Sequence, residues 1–150
     1  MDPSTWPDGR ITALGNQLVD IHVRLREELA RLRDGGAERP RDLRAHCVAF
    51  CSALRRHHGA EDGGAFPALA QRFPELRPVL DELERDHRLV ADSLRRLDEL
   101  PETGFETELD TLAALLETHF TYEERRLVAA LDALDPRAGT VEELLGRVAG

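Results

Sequence analysis

The sequence is poor in aromatic residues, β-branched residues and long apolar runs. Phe, Trp and Tyr together make up 5% of its 150 residues. β-Strands are enriched in aromatic and β-branched side chains, so this composition disfavours a β-sheet protein. No apolar run approaches the roughly 20 residues that a membrane-spanning helix requires. We therefore expect neither a sheet nor a membrane-spanning segment.

The sequence has two cysteines and no secretory signal. Cys47 and Cys51 lie four positions apart, which predicts two small buried side chains on one helix and no disulfide. The first residues, Met1 to Trp6, lack the basic and apolar regions of a signal peptide. We therefore expect a cytoplasmic protein.

The sequence also lacks a basic segment. Its net charge is −9 at pH 7, and acidic and basic residues are interspersed. Because binding to nucleic acid requires clustered positive charge, this pattern argues against a nucleic-acid partner. Leu, Ala, Arg and Glu are abundant, which predicts an all-α protein, and 150 residues are typical of a single domain.

Helical periodicity and turn residues divide this single domain, residues 1–150, into an arm (1–10), a core (11–134) and a terminal helix (140–149) capped by Thr140. Four long helices with short links predict an up-down-up-down four-helix bundle. The predicted core helices are Ile11 to Asp34, Arg41 to Asp62 with a continuation to Arg72 after a break or kink at Gly63-Gly64, a third opened by Pro74 and Pro78, and a fourth from the Pro101–Gly104 turn to Leu134.

The second and fourth helices carry the same inward pattern, ending in His-x-x-x-Glu. Residues four apart on a helix lie one turn above each other, so His57 and Glu61 should point together into the core. A buried carboxylate is costly unless a cation neutralises it, which predicts a metal. The two inward stripes are Leu43, Cys47, Phe50, Leu54, His57, Glu61 and Phe105, Leu109, Leu112, Leu116, His119, Glu123.

The first and third helices each place one histidine, His22 or His87, on an inward stripe. The two stripes are Gly15, Leu18, His22, Leu25, Leu29, Leu32 and Leu76, Leu80, Leu83, His87, Val90, Leu94, Leu97. The two halves of the chain thus resemble a duplication, each with a lone His followed by His-x-x-x-Glu. Counting from the helix ends at 1.5 Å per residue places these groups within one or two turns of the same height. We therefore predict one buried metal site formed by His22, His57, Glu61, His87, His119 and Glu123.

The types and number of these side chains indicate which metal they hold. Imidazoles and carboxylates suit borderline transition metals better than Mg²⁺ or Ca²⁺. A structural zinc site would use only four ligands. Six ligands from four helices favour two metal ions, with Glu61 and Glu123 bridging together with a hydroxide, and iron is the expected metal.

These motifs resemble the hemerythrin-like (HHE cation-binding) family, whose mark is His, His-x-x-x-Glu, His, His-x-x-x-Glu on four helices. The local sequences His57-His58-Gly59-Ala60-Glu61 and His119-Phe120-Thr121-Tyr122-Glu123 agree with it, and the resemblance covers residues 11–134. It implies a non-haem di-iron centre, oxo- or hydroxo-bridged, held by the six residues named above.

The sequence departs from the oxygen-carrying hemerythrins, which have two histidines four apart on the third helix and His-x-x-x-x-Asp on the fourth. Here Leu83 and Ala91 stand four positions from His87. A more open iron site is implied, which argues against reversible oxygen carriage. His58 and Glu84 are candidates for the missing ligand, Tyr122 is a candidate hydrogen-bond donor with packing preferred, and His46 is expected at the surface.

Two functions remain open from the sequence. One is a di-iron protein that binds or senses O₂, NO, peroxide or iron, and the other is a di-iron enzyme with catalase-like or peroxide-reducing activity. A metal-free helical interaction domain would leave the inward carboxylates unexplained. We expect a small diatomic or peroxide ligand and a monomer or weak homodimer.

Overall fold

A computed structural model describes residues 13–34, 40–99 and 102–146, with the side chains of 40–46 and 102–103 excepted. The described residues contain helices and no strand, so the all-α prediction is confirmed. None of these helices is both long and apolar enough to cross a membrane. The helices are α1 (Leu14–Asp34), α2 (Pro40–Ala60), α3 (Phe66–Arg72), α4 (Arg77–Glu99), α5 (Glu102–Asp132) and α6 (Val141–Leu145), with a π turn at Glu61–Ala65 and 3₁₀ turns at Pro74–Leu76 and Pro136–Ala138.

The four long helices form the predicted bundle. Helix α1 packs against α2 and α5, and α4 packs against the same two helices, which closes a four-membered ring around one core. Short α6 packs across one end of this ring, against α2 and the π turn. The bundle architecture and the short C-terminal helix are thus confirmed, whereas the predicted arm lies outside the described residues.

The positions that the helical period assigns to the core are buried. Helix α1 buries every predicted inward residue from Gly15 to Leu32, and α4 does so from Leu80 to Leu97. Leu76, before α4, is only half-buried, and the side chain of Leu43 lies outside the described residues. On α5 the buried stripe comprises Phe105, Leu109, Leu112, Leu116, His119 and Glu123.

The turn predicted at Pro101 to Gly104 is shorter than expected. Gly104 lies inside α5, which begins at Glu102. A glycine in a helix costs about 1 kcal/mol relative to alanine. The apolar stripe that begins at Phe105 packs against the core and outweighs this cost.

At Gly63-Gly64, where a break or kink is predicted, the chain forms a continuous π turn. Ala60, before the turn, and Phe66, after it, both have right-handed helical backbone angles, so the chain passes from α2 into α3 without leaving the helix. Single π turns of this kind are frequent at functional sites. A Cβ atom at Gly64 would overlap the carbonyl oxygen of Glu143, so glycine at this position lets the backbone of α6 pack directly on the turn.

Helix α6 begins with the capping residue that the sequence predicts. The Glu143 N–H donates to Thr140 Oγ1 at 3.1 Å, and the Thr140 N–H donates to Glu143 Oε1 at 3.0 Å. The helix ends earlier than expected, at Leu145, because Gly146 takes a left-handed conformation with φ of 61°. This ending directs the carbonyl group of Leu145 toward α2.

Candidate metal centre

All six predicted ligands lie together in the core. Each is at most 5% exposed, and they form two neighbouring groups. In each group, one nitrogen or oxygen per residue lies within 4.8 Å of those of the others. The Glu123 cluster contains His22, His57 and Glu123, and the Glu61 cluster contains His58, Glu61, His87 and His119.

The two imidazoles of the Glu123 cluster are each held by a hydrogen bond at Nδ1. His57 Nδ1 donates to the carbonyl oxygen of Leu145 at 2.6 Å. His22 Nδ1 lies 2.7 Å from Glu124 Oε2. Since both acceptors are oxygens, each ring carries a hydrogen at Nδ1, and the Nε2 atoms of both rings face the core.

Two imidazoles of the Glu61 cluster are oriented in the same way. His87 Nδ1 donates to Asp62 Oδ1 at 2.7 Å, and His119 Nδ1 donates to Asp86 Oδ2 at 3.0 Å. Carboxylate or carbonyl acceptors behind histidine rings fix the tautomer and strengthen the other nitrogen as a metal ligand. All four rings therefore present Nε2 to the interior.

The two inward carboxylates lie between the clusters. Glu61 Oε1 is 3.3 Å from His87 Nε2 and 3.5 Å from His57 Nε2. Glu123 Oε1 is 3.0 Å from His22 Nε2, and its Oε2 is 3.7 Å from His119 Nε2. Each carboxylate thus contacts imidazoles of both clusters, as expected for groups that bridge two ions.

Many buried polar atoms at the centre have no hydrogen-bond partner within the described part of the chain. A buried acceptor without a partner costs about 1–3 kcal/mol, so six such atoms in one place would be destabilising by themselves. Imidazole nitrogens and carboxylate oxygens are the donor atoms that transition-metal ions prefer, so the residues present fit a metal. The atoms are His58 Nε2, Glu61 Oε1, His87 Nε2, His119 Nε2 and both oxygens of Glu123.

In the Glu123 cluster, a proton on His22 supplies part of the positive charge that balances Glu123. Burial acts to lower the pKa of His22, but Glu123 and Glu124 outweigh it and the pKa is raised. Burial likewise acts to raise the pKa of Glu123, but His22 outweighs it and the pKa is lowered. His22 therefore tends to hold a proton beside an ionised Glu123, and a metal ion would displace that proton.

Three other groups, His57, His58 and Glu61, are held in their neutral forms. Burial, followed by the charge of His22, lowers the pKa of His57 to about 3. Burial also lowers the pKa of His58 well below its usual value. Burial and the neighbouring carboxylate of Glu123 raise the pKa of Glu61 well above its usual value. Neutral imidazoles are the form that binds metal.

His58 joins the Glu61 cluster, as one of the two candidates for the missing ligand. Its ring stacks on that of His87 with centroids 3.8 Å apart, and its buried Nε2 has no hydrogen-bond partner in the described structure. Glu84, the other candidate, is half-buried and belongs to neither cluster. Tyr122 donates to Glu82 at 3.0 Å and packs against the core, as preferred, and the side chain of His46 lies outside the described residues.

The outer acceptors Asp62, Asp86 and Glu124 were not predicted from the sequence. Each lies beside an inward position and acts on a ring from another helix, so no spacing rule within one helix identifies it. Glu124 is further held by Arg26 Nη1 at 3.1 Å. The only local signal was that Asp62 and Glu124 directly follow the two inward glutamates.

The protein-family model of the hemerythrin HHE cation-binding domain matches residues 14–144 of the sequence. The chain belongs to this family. The match runs from α1 into α6 and includes every residue of both clusters. The bundle is therefore an HHE domain, a cation-binding domain, and its His/Glu clusters are compatible with metal binding. Neither the curated proteins nor the solved structures include a significant match.

Proposed function

We propose that this HHE domain binds two iron ions, one at each cluster, with Glu61 and Glu123 between them. The observation that carries the proposal is the set of buried nitrogen and oxygen atoms that face one another without hydrogen-bond partners. Oriented lone pairs and two carboxylates provide the negative potential that two divalent ions would balance. The six ligands are His22, His57, Glu61, His87, His119 and Glu123.

The proposal includes His58 as a seventh ligand. The Glu123 cluster offers two imidazoles, whereas the Glu61 cluster offers three when His58 is counted. This difference breaks the symmetry that the repeated sequence motif suggests. We expect the two ions to have different surroundings and different affinities.

The function that this site supports best is binding or sensing of a small molecule such as O₂, NO or peroxide. A pair of iron ions supplies the ability to bind such molecules and to exchange electrons with them. The residues of the chain hold the rings in place and exclude bulk water, and burial lowers the pKa of His57, His58 and His119, which keeps these three rings neutral. Phe120 stacks on His22 at 4.0 Å and Phe66 on His87 at 5.4 Å, so apolar rings flank both clusters.

Metal quantification after purification and after loading with Fe²⁺ under anaerobic conditions tests the proposal. We expect two iron ions per chain, and His119→Ala should lose at least one of them together with much of the thermal stability that metal binding adds. Thr121→Ala, an exposed change on the same helix, is the matched control. Fewer than one iron per chain in the unmodified protein would contradict the proposal.

Reaction with peroxide and NO then separates the binding function from the enzymatic alternative. A stable absorption band with NO or O₂, without turnover, is expected of a binding or sensing protein. Rapid release of O₂ from added peroxide by the iron-loaded protein would instead support a catalase-like or peroxide-reducing enzyme.

A further inference from the structure

A pocket of about 250 Å³ opens between α2 and α4. Gly59 on α2 and Ala91 on α4 form facing parts of its wall, and Val90 and Leu94 contribute apolar surface. Its inner wall includes His58 and His87. The pocket thus extends from the surface of the bundle to two rings of the Glu61 cluster.

The Glu123 cluster is enclosed by different groups. None of its three residues lines the pocket. Phe120 stacks on the ring of His22, and the Leu145 carbonyl contacts His57. Of the two proposed metal positions, the one in the Glu61 cluster is therefore the one next to this opening.

We propose that this pocket is the route by which a small uncharged molecule reaches the metal position of the Glu61 cluster. The inference rests on the proposed di-iron function and goes beyond it by assigning an entrance and a preferred ion. The exogenous ligand would arrive between His58 and Val90, reach the ion of the Glu61 cluster first, and take the coordination position that we assign to His58.

The size and lining of the pocket define the class of molecule. A water molecule occupies about 30 Å³, so the pocket has ample room for a diatomic gas or hydrogen peroxide. Its walls are mostly apolar, which favours uncharged molecules. Arg55, at its edge, lies 3.6 Å from Asp98, and Arg88 and Asp62, which carry opposite charges, also line the pocket.

Gly59 provides a way to close the pocket without altering a ligand. A Cβ atom at Gly59 would have no heavy atom within 4 Å, so a side chain can be added to the backbone there without a clash at its first atom. Gly63 has equally open surroundings but does not line the pocket. Gly59→Leu is therefore the test variant and Gly63→Leu its matched control.

Stopped-flow measurement of NO binding to the iron-loaded protein tests the route. We expect Gly59→Leu to slow binding by about tenfold or more, with the iron content unchanged and with Gly63→Leu at the rate of the unmodified protein. Ala91→Phe, which narrows the pocket from the facing helix, should have the same effect. Unchanged rates in both Gly59→Leu and Ala91→Phe, at full iron content, would overturn the inference.

A second measurement needs no metal. Crystals of the metal-free protein under xenon pressure should show electron density between Gly59 and Ala91, and Gly59→Leu should remove it. This readout separates the two proposals, since a missing metal contradicts the proposed function and missing xenon contradicts the route.

Discussion

His57 Nδ1 donates a hydrogen bond to the carbonyl oxygen of Leu145, 2.6 Å away and 88 positions later in the chain. The contact fixes the tautomer of a ring whose Nε2 faces Glu61 and Glu123. Helix α6 therefore supports the candidate metal centre directly, although none of its side chains belongs to a cluster. Disturbing α6 should change metal binding from outside the core.

Gly64→Ala should weaken both folding and metal binding. The added methyl group would overlap the carbonyl oxygen of Glu143 and push α6 away from the π turn. Overpacking of this kind costs about 1–3 kcal/mol. Loss of the acceptor behind a ligating histidine typically lowers metal affinity by about 10–100-fold. Urea unfolding and metal titration measure the two effects, and Gly63→Ala, whose Cβ meets open space, should show neither.

Asp86→Ala should reduce metal affinity without removing a ligand. The carboxylate accepts a hydrogen bond from His119 Nδ1 at 3.0 Å, and without it the ring loses its fixed tautomer and orientation. We expect an affinity about 10–100-fold lower. Asp81→Ala, an exposed change on the same helix, serves as the control in a competition titration with a chelator. Equal affinities of the two variants would contradict a supporting role for Asp86.

The metal-free protein should lose stability as the pH falls below about 6.5. The pKa of His57 is lowered from 6.5 to about 3, so between these values the unfolded chain binds a proton there that the folded protein does not. Burial lowers the pKa of His58 and His119 in the same direction. Stability from these groups is present above the unfolded pKa and is lost on acidification.

Two groups act in the opposite sense. The raised pKa of Glu61 contributes stability that is lost as pH rises through it, and the raised pKa of His22 does the same above 6.5. Three imidazoles outnumber the one glutamate between pH 6.5 and 4.5, so we expect a net loss of about 1–3 kcal/mol per pH unit. Urea unfolding across this range measures the slope. The slope of stability against pH should be smaller in His57→Asn. A stability that does not change with pH in the unmodified protein would contradict the lowered pKa values of the buried histidines.

The two cysteines should react slowly in the folded protein. Both thiols are buried and form no disulfide, with Sγ atoms 3.6 Å apart. The hydrogen bond with Cys47, followed by burial, raises the pKa of the Cys51 thiol, which removes the reactive thiolate. Labelling with a thiol reagent at pH 8 should follow the unfolding rate and accelerate in urea. Rapid labelling of the native protein would show that the thiols are accessible.

The sequence predicted which of these histidines are buried because its strongest signal is periodic. A 3.6-residue repeat assigns His22, His57, His87 and His119 to the core whatever the neighbouring helices do. That they lie close together followed from counting residues from the helix ends. Their role as metal ligands stays a prediction, as do iron itself and the count of two ions.

Groups that act between helices escaped sequence reasoning. Asp86 supports His119 from another helix, and the Leu145 carbonyl is a backbone group that any residue would supply. The hydrophobic periodicity of the sequence does not identify the π turn, and its paired glycines predict a break or kink of the helix. Gly64 leaves room for the backbone of α6 to pack on the π turn, and this contact is visible only in the folded structure.

The π turn at Glu61–Ala65 also sets the rotation of α3 about the helix axis relative to α2. One residue corresponds to about 100° of helical rotation, so deleting Gly63 and restoring a regular α-helical turn would rotate α3 by about that angle. The ring of Phe66 would then swing away from His87, and Leu69 would turn from the core toward solvent. A single surplus residue thus adjusts the phase between the metal-facing end of α2 and the apolar face of α3.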